Sequence, residues 1–422
     1  MISLMDMRSK HPRVGRLVFA VLAAGILAIT AVRVAESREV GPDDPFCRAI
    51  NDPASGDEIV LRPGEYRGPC MIRRGGGADR PLVVRAKDPA NRPQIVYEGD
   101  SANVFEVRSD HVVIEGLSFG PTQRNVDGIR IRANRDVSVI DCEFYRLGGI
   151  AVAANQSNLH GLRVSGNVIK GSNATAMYFG CHDGEACRLS GVVIERNRID
   201  GVDASEKEVG YGIQVKLNST AVIRDNLIRN TKGPGIMIYG ARDLSLESLI
   251  ERNFVTGSRT SSGIVIGGGP AIVRNNIAAF NSVGGVGLED YGQRGLLRSI
   301  KIGFNSVYGN KGGGVTAPPP GKLEDTVLVA NAGWSDGKKA TFPEPQQGLT
   351  ERDNLACARD CFIDPANGDF SPAADSVLRG RESSFNAAWL PADDFFGHPR
   401  KSPPRIGAVE SPGRVAGARS GQ

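Results

Sequence analysis

Long stretches with helical periodicity are scarce in this 422-residue sequence, and aromatic residues make up only 6% of it. Short apolar runs separated by glycine and asparagine dominate instead, which is typical of β-structure. The net charge is only +4, and no dense basic stripe with interleaved aromatic residues occurs, so nucleic acid is not expected as a partner. The glycine runs lack the strand-to-helix context of a phosphate-binding loop.

Residues 1–35 are predicted to direct export. Basic residues precede the mostly apolar run Leu17–Val32, whose length lies between a cleaved signal and a membrane span. A cleaved signal peptide and an N-terminal membrane anchor both remain open. In either case the rest of the chain is expected outside the cytoplasm, periplasmic or secreted, and held at the inner membrane only if the segment is uncleaved.

Seven cysteines agree with an oxidising compartment. We expect three local disulfides, Cys47–Cys70, Cys181–Cys187 and Cys357–Cys361, and a buried thiol at Cys142. The alternative is that none of these pairs forms.

An asparagine recurs at intervals of 22 to 30 residues. This interval fits one coil of a three-sided parallel β-helix. An inward asparagine at a turn tolerates left-handed backbone and can bond the coils above and below it, so we predict a structural ladder. Its members are Asn167, Asn197, Asn226, Asn253, Asn275, Asn305 and Asn331, with Leu117 and Cys142 in the same position upstream.

A second repeat predicts one strand of each coil, and the stretch Tyr211–Arg242 contains two copies of it. Alternation along a strand separates buried from outward residues. One outward column is predicted to be Arg130, Ala151, Tyr178, Gln214, Met237, Val265 and Gly287. The next is Arg132, Ala153, Gly180, Lys216, Tyr239, Gly267 and Glu289.

The predicted fold is therefore all-β, a parallel β-helix of about 9–11 coils over residues 42–410. A cap with a short helix at Pro45–Asn51 covers the first coil. The repeat decays after Gly314, one further coil reaches Asn331, and a C-terminal segment closes the solenoid. His398 in that segment is predicted to be structural, residues 411–422 are predicted to be disordered, and we expect a monomer.

The segment Gly56–Arg73 and the segment Arg80–Gly99 resemble the entrance of right-handed parallel β-helix proteins. They are similar in particular to chondroitinase-B-like and alginate-lyase-like polysaccharide lyases and their relatives. The resemblance spans about residues 55–410 and implies a right-handed, single-stranded helix. These lyases place a lysine after one strand and an arginine at the matching position of the next coil. Lys216 matches the lysine, whereas Tyr239 stands where the family has an Arg-His-Gly run.

Elimination from a uronic acid requires a base for the C5 proton, a proton donor for the leaving oxygen and a group that neutralises the carboxylate. Lys216 is the candidate base, provided that its pKa falls from about 10.4, and Arg242 and Arg132 would lower it. Tyr239 is the candidate donor, or the base if cations lower its pKa. Glu208, Glu289 and Asp290 could hold Ca²⁺ as hard oxygen ligands. The predicted substrate-binding residues are Arg130, Arg132, Tyr178, His182, Gln214, Arg242 and Tyr291.

These residues predict an exported protein that acts on an acidic, uronate-containing polysaccharide by β-elimination or C5 epimerisation. A non-catalytic polysaccharide-binding or envelope-assembly β-helix is the first alternative. A glycoside hydrolase is the second, although it needs paired carboxylates and Glu289 with Asp290 is the main pair on the strand faces. The Asp-Pro-His-Asp motif typical of alginate epimerases with this fold is absent.

Overall fold

The structure, a computed structural model, describes residues 37–417 except 53–56, 185 and 338. The predicted export segment, residues 1–35, lies outside the described residues. Within the described part, three parallel sheets of 14, 12 and 10 strands form the sides of a solenoid, which confirms the three-sided parallel β-helix. No helix in this part is both long enough and apolar enough to cross a membrane.

Most coils contribute one short strand to each sheet. Sheet 1 contains Ser37–Val40, Glu58–Leu61, Leu82–Ala86, Val112–Glu115, Arg135–Ile140, Leu159–Ser165, Leu189–Ser190, Val192–Glu195, Ala221–Arg224, Ser248–Glu251, Ala271–Arg274, Arg298–Gly303, Glu324–Val329 and Leu349–Arg352. Sheet 2 contains Glu65–Arg67, Gln94–Tyr97, Ser118–Thr122, Glu143–Leu147, Val168–Ser172, Arg198–Val202, Leu227–Thr231, Phe254–Thr256, Ile277–Ala279, Ser306–Asn310, Ala332–Ser335 and Leu355–Ala356. Sheet 3 contains Cys70–Ile72, Phe105–Val107, Ile129–Ile131, Val152–Ala154, Met177–Phe179, Ile213–Val215, Ile236–Ile238, Ile264–Ile266, Gly284–Leu288 and Gly313–Thr316.

The interior is filled by the inward residue of each strand, because alternation sends every second side chain to the core. Ile213, Val215, Ile236 and Ile238 are at most 1% exposed. At the N-terminal end the helix Phe46–Asn51 covers the first coils, close to the predicted Pro45–Asn51.

An asparagine ladder joins consecutive coils at the turn between sheets 1 and 2. The side-chain Nδ2 of each member donates to Oδ1 of the next at 2.8 to 3.0 Å. The same Oδ1 also accepts from the backbone N of the preceding member, as Asn226 does from Asn197 at 3.0 Å. The predicted ladder is confirmed, and it extends one coil beyond the predicted end at Asn331, to Asn354.

Two details of the ladder differ from prediction. Asn276, not Asn275, occupies the ladder position, bonding Asn305 at 3.0 Å; Asn275 instead donates to the carbonyl O of Asp393 at 2.5 Å. The left-handed residue is the one before each asparagine, with φ of 55° at Arg196 and 58° at Asp225. Two adjacent asparagines give nearly the same spacing, so the sequence could not separate them.

The strand Val152–Ala154 is displaced by two residues from the predicted register. Arg130 pairs with Ala153 instead of Ala151, and Asn155 follows the strand where Ala153 was expected. A shift of two residues preserves the alternation of inward and outward side chains, so hydrophobic pattern alone cannot detect it.

The three predicted disulfides are present, and Cys142 is a buried free thiol. The disulfides are compatible with an exported protein.

The C-terminal segment folds back along the outside of sheet 2. It contains the antiparallel pair Phe362–Asp364 and Asp369–Pro372, and Phe362 and Phe370 join a cluster with Phe254 and Tyr308 of the solenoid. Arg400 and Glu410 form a buried ion pair at 3.3 Å, their side chains 3% and 2% exposed. The exposed His398 lies 3.6 Å from Asp394.

Part of the segment predicted to be disordered is described. Backbone N of Val415 donates to the carbonyl O of Gly368 at 3.0 Å. Arg229 donates to the carbonyl O of Gly417 at 2.7 Å.

We expect Asn226→Ala to lower the free energy of unfolding by about 2–4 kcal/mol, because two buried N–H donors of Asn197 lose their acceptor. Urea denaturation followed by circular dichroism measures the change. Asn173→Ala, at an exposed position outside the ladder, is the control. Equal stability of the two variants would contradict a stabilising ladder.

Candidate functional site

Lys216 and Tyr239 occupy equivalent positions on adjacent coils, each directly after its strand of sheet 3. The backbone N of Tyr239 donates to the carbonyl O of Val215 at 3.0 Å, and Gln214 pairs with Met237 in the parallel ladder. The two side chains therefore stack on the outer face of the sheet, as predicted. The Lys216 Nζ lies 4.0 Å from the centroid of the Tyr239 ring and 5.8 Å from that of Tyr178.

Two glycines in the same column provide the space for these side chains. A Cβ at Gly180 would lie 2.9 Å from Lys216 Cβ and 2.6 Å from Ser219 Oγ. A Cβ at Gly267 would lie 2.9 Å from Met237 Cε and 3.3 Å from Tyr291 Cβ. The lysine and the tyrosines fit because both neighbouring positions lack side chains.

Lys216 is buried, although its outward position predicted an exposed side chain. It is only 3% exposed. The disulfide loop Cys181–Cys187 packs beside it, with Gly184 O accepting from Asn218 Nδ2 at 3.0 Å. Within the described residues its ammonium has aromatic faces as neighbours and makes no hydrogen bond or ion pair.

The environment lowers the pKa of Lys216 to about 8. Burial is the main cause, because it disfavours the charged form, and the nearby Arg294 guanidinium acts in the same direction. Asp183 opposes this shift, and the faces of Tyr178 and Tyr239 also favour the ammonium. An appreciable neutral fraction is therefore available near neutral pH.

Tyr239 is a protonated hydrogen-bonding centre. It is 1% exposed, its hydroxyl accepts from Gln214 Nε2 at 3.0 Å, and it shares a hydrogen bond with the Tyr211 hydroxyl at 3.1 Å. Burial raises the pKa of Tyr239, and the hydrogen bond with Tyr211 adds to the increase. The predicted role of Tyr239 as a base required cations to lower its pKa, and this condition is not met, because its pKa is raised.

Further aromatic residues surround this pair. The Tyr291 ring packs edge-on against Tyr239 with centroids 4.7 Å apart, and Tyr291 remains 42% exposed. The Tyr178 hydroxyl lies 3.2 Å from His182 Nδ1, and burial raises the pKa of Tyr178 to about 12. The structure thus gathers Tyr178, His182, Gln214 and Tyr291 of the predicted substrate-binding residues around Lys216 and Tyr239.

The three arginines predicted to bind substrate lie away from Lys216 or have other contacts. Arg130 pairs with Asp127, and Arg132 pairs with Glu106 at 3.0 Å, three coils below Lys216. Arg242 lies in the turn after Tyr239, where its backbone N donates to Asn218 Oδ1 at 3.0 Å. The cation that lowers the pKa of Lys216 is Arg294, in place of the predicted Arg242 and Arg132.

The three predicted metal ligands are not gathered at one place. Glu208 precedes its strand of sheet 3 and Glu289 follows its strand, so they lie at opposite edges of the sheet. Asp290 Oδ1 accepts from the backbone N of Gly295 at 2.9 Å, and Asp290 Oδ2 lies 3.6 Å from Lys322. Among the described residues, no group of three or more His, Cys, Asp or Glu side chains is arranged to hold a metal ion.

Sequence reasoning missed Arg294 and Tyr211. Tyr211 stands immediately before the repeat, and its hydroxyl reaches the next coil. Arg294 lies in the loop 289–297, outside any repeat, and its guanidinium Cζ is 5.9 Å from the centroid of Tyr239. The signal available was the interruption of the repeat after Glu289, which marks a loop at this edge.

Comparisons with known proteins agree with the fold. A family model described as a right handed beta helix region matches residues 127–317, which also supports the predicted hand. The solved structure of pectate lyase Pel9A is similar with a TM-score of 0.52 at 15% identity, covering 89% of this chain and 96% of that one. A comparison with curated protein sequences found no match.

Two other solved structures have lower TM-scores. The PL6 family polysaccharide lyase Pedsa3628 from Pseudopedobacter saltans has a TM-score of 0.49 at 16% identity, covering 88% of this chain and 99% of that one. The A-module of mannuronan C-5 epimerase AlgE6 from Azotobacter vinelandii has 0.38 at 13%, covering 72% and 92%. At these sequence identities, structural similarity is evidence for the fold alone.

We expect Lys216→Met to stabilise the protein by about 1–3 kcal/mol at pH 6–7, because the folded state no longer buries an ammonium. The folded pKa of about 8 lies below the ordinary value of 10.5. The cost of the charge is therefore fully present below pH 8 and disappears as the pH rises towards 10.5. Thermal denaturation from pH 6 to 10 measures this, with the exposed Lys170→Met as control. A destabilised variant at pH 6 would contradict the prediction.

Proposed function

We propose that this protein acts on an acidic, uronate-containing polysaccharide by β-elimination or C5 epimerisation, with Lys216 as the base and Tyr239 as the proton donor. The substrate class is suggested by the structural neighbour named as a pectate lyase, and the residue roles come from the geometry of the site. We also propose a periplasmic or secreted location, in keeping with the disulfides.

One observation carries the assignment of roles. Lys216 is buried without an anionic partner among the described residues and has a pKa lowered to about 8, while the adjacent Tyr239 keeps its proton. A general base works best when its pKa lies near the operating pH, and an acid must remain protonated until it is needed. Two neighbouring groups with pKa values moved in opposite directions meet both requirements.

The elimination can be written with these two groups. The neutral Nζ of Lys216 takes the C5 proton, the C5–H electron pair forms the C4–C5 double bond, and the C4–O bond breaks. The hydroxyl of Tyr239 gives its proton to the leaving oxygen. Transfer of a proton from the Lys216 ammonium to the Tyr239 phenolate restores the starting state. In epimerisation, Lys216 takes the C5 proton in the same way, the hydroxyl of Tyr239 gives its proton to the opposite face of C5, and proton transfer from the ammonium to the phenolate restores the starting state.

In the proposed reaction the substrate must reach Lys216 and Tyr239, which other residues cover. Lys216 and Tyr239 are 3% and 1% exposed, and Tyr291 and Arg294 of the loop 289–297 lie over Tyr239. The sugar that reacts must therefore displace the ring of Tyr291 outward. Tyr291, already 42% exposed, is the residue that it would meet first.

Calcium, predicted from Glu208, Glu289 and Asp290, is not used in this scheme. The positions of these carboxylates at two edges of sheet 3 do not fit one metal site. No step is therefore assigned to a metal.

A non-catalytic binding protein is the second candidate, and the exposed aromatic surface favours it. Tyr291 and the half-buried Tyr178 flank the site, and aromatic faces suit the stacking of sugar rings. Binding on these faces needs no access to Lys216. The hydrolase alternative lacks comparable support, because Asp290 is engaged with Gly295 and Lys322.

We expect the wild-type protein to produce absorbance at 235 nm from at least one of a panel of uronate polymers, or to incorporate solvent deuterium at C5. Lys216→Ala should lower the rate by about 100-fold or more, and Tyr239→Phe by about 10- to 100-fold, because each removes a proton-transfer group. The rates are measured spectrophotometrically and by nuclear magnetic resonance in deuterated water.

Lys170→Ala, an exposed lysine paired with Glu143, is the matched control and should keep full activity. Activity that survives both Lys216→Ala and Tyr239→Phe would disprove the role assignment. Polymer binding with neither absorbance nor deuterium incorporation would support the binding protein instead.

We expect kcat/KM to rise about tenfold per pH unit below pH 8 and to level off above it, because only neutral Lys216 accepts the proton. Burial of Lys216 is the main cause of this midpoint, Arg294 lowers the pKa further, and Asp183 raises it. Initial rates between pH 6 and 10 measure the profile. A rate that falls through pH 8 would contradict Lys216 as the base.

A further inference from the structure

Arginines on the outer surface of this solenoid are commonly paired with carboxylates. Glu195 accepts from three guanidinium groups on its own and neighbouring coils, and Glu251 pairs with two. Other pairs are Arg130–Asp127, Arg229–Asp200, Arg252–Asp225 and Arg259–Asp203. These contacts compensate the cost of removing the charges from water.

Arg294 departs from this pattern. Its Nη1 is buried and has no hydrogen-bond partner, and no ion pair joins its guanidinium to any residue within the described ranges. Its contacts are aromatic, since Cζ lies 5.9 Å from the centroid of Tyr239 and 5.4 Å from that of Tyr291. A buried guanidinium nitrogen without an acceptor costs free energy that an anionic ligand could recover.

The loop holds Arg294 in this position from both sides. Asp290 Oδ1 accepts from the backbone N of Gly295 at 2.9 Å. Leu296 is 6% exposed and packs with Tyr239 and Met237, and its carbonyl O accepts from the backbone N of Gly269 at 2.8 Å. These contacts hold the loop around Arg294 against the sheet and leave the donors of its guanidinium unused.

Two cations consequently flank the ring of Tyr239. Lys216 Nζ lies 4.0 Å and Arg294 Cζ lies 5.9 Å from its centroid. If Lys216 is the base, it must be neutral when it reacts, and Arg294 is then the permanent positive charge of the site. A planar guanidinium fork matches a carboxylate with two parallel hydrogen bonds.

We propose that Arg294 binds the carboxylate of the uronate unit positioned at Lys216 and Tyr239, and that it makes the site selective for uronates over neutral sugars. The inference rests on the proposed function for its substrate class. Carboxylate recognition can nevertheless be measured as binding, separately from turnover.

The test compares two ligands that differ only in the carboxyl group. Short oligomers of alginate and polygalacturonate, and the same oligomers with the carboxylates reduced to alcohols, are titrated into the full protein by calorimetry. We expect Arg294→Ala to weaken binding of a uronate oligomer by about 10- to 100-fold, and Arg294→Lys to weaken it less. Affinity for the reduced oligomers should change less than twofold in both variants.

Arg163→Ala is the matched control. It removes the same charge from an exposed arginine of sheet 1 that pairs with Glu195, so it reports any long-range effect of net charge. This control should bind both forms of the oligomer like the wild type.

Each outcome decides the inference. Equal loss of affinity for carboxylated and reduced oligomers in Arg294→Ala would show a packing role and overturn the proposal, as would unchanged affinity for both. Failure of the wild type to bind any of these oligomers would also overturn it. Selective loss in Arg294→Ala, with no product and no C5 deuterium from the wild type, would uphold carboxylate recognition and reject the catalytic proposal.

Discussion

The asparagine ladder is the interaction on which the rest of the structure depends. At each turn between sheets 1 and 2, one buried carbonyl oxygen accepts two hydrogen bonds from the asparagine of the preceding coil. The residue before each asparagine adopts a left-handed conformation, which costs free energy in a non-glycine residue. The ladder offsets that cost, and because it repeats on consecutive coils, it fixes how far each coil rises and which residues of adjacent coils lie opposite one another.

The position of the candidate site follows from that constraint. Once the coils are in register, Lys216 and Tyr239 must be neighbours in one column, and Gly180 and Gly267 must lie below and above them. The contact of the Lys216 ammonium with the Tyr239 ring is therefore set by the solenoid, whose own stability does not depend on this contact. This allows the chain to bury a lysine whose charge is unfavourable there.

Periodic features could be predicted from the sequence, because repetition provides many chances to recognise the same pattern. The ladder and the column of Lys216 and Tyr239 belong to this class, whereas the three disulfides were predicted from cysteines that are close in sequence. The predicted position was wrong where two registers fit the repeat equally well. This is the case at Asn275 and Asn276 and at Ala151 and Ala153. The burial of Lys216 could not be predicted, since it depends on loops that lie outside the repeat and pack over the sheet.

Arg294 shows why the chemistry of such a site depends on these loops. The repeat places its outward side chains in columns that run across the strands of a sheet. Such a column can contact a ligand from one side only. The loop 289–297 lies outside the repeat, and it brings a guanidinium to 5.9 Å from the centroid of the Tyr239 ring. The lysine can lose its charge in this environment, whereas the arginine cannot. The proposed roles rest on this difference, with a permanent cation from a loop to hold an anion and a titratable cation from the scaffold to move a proton.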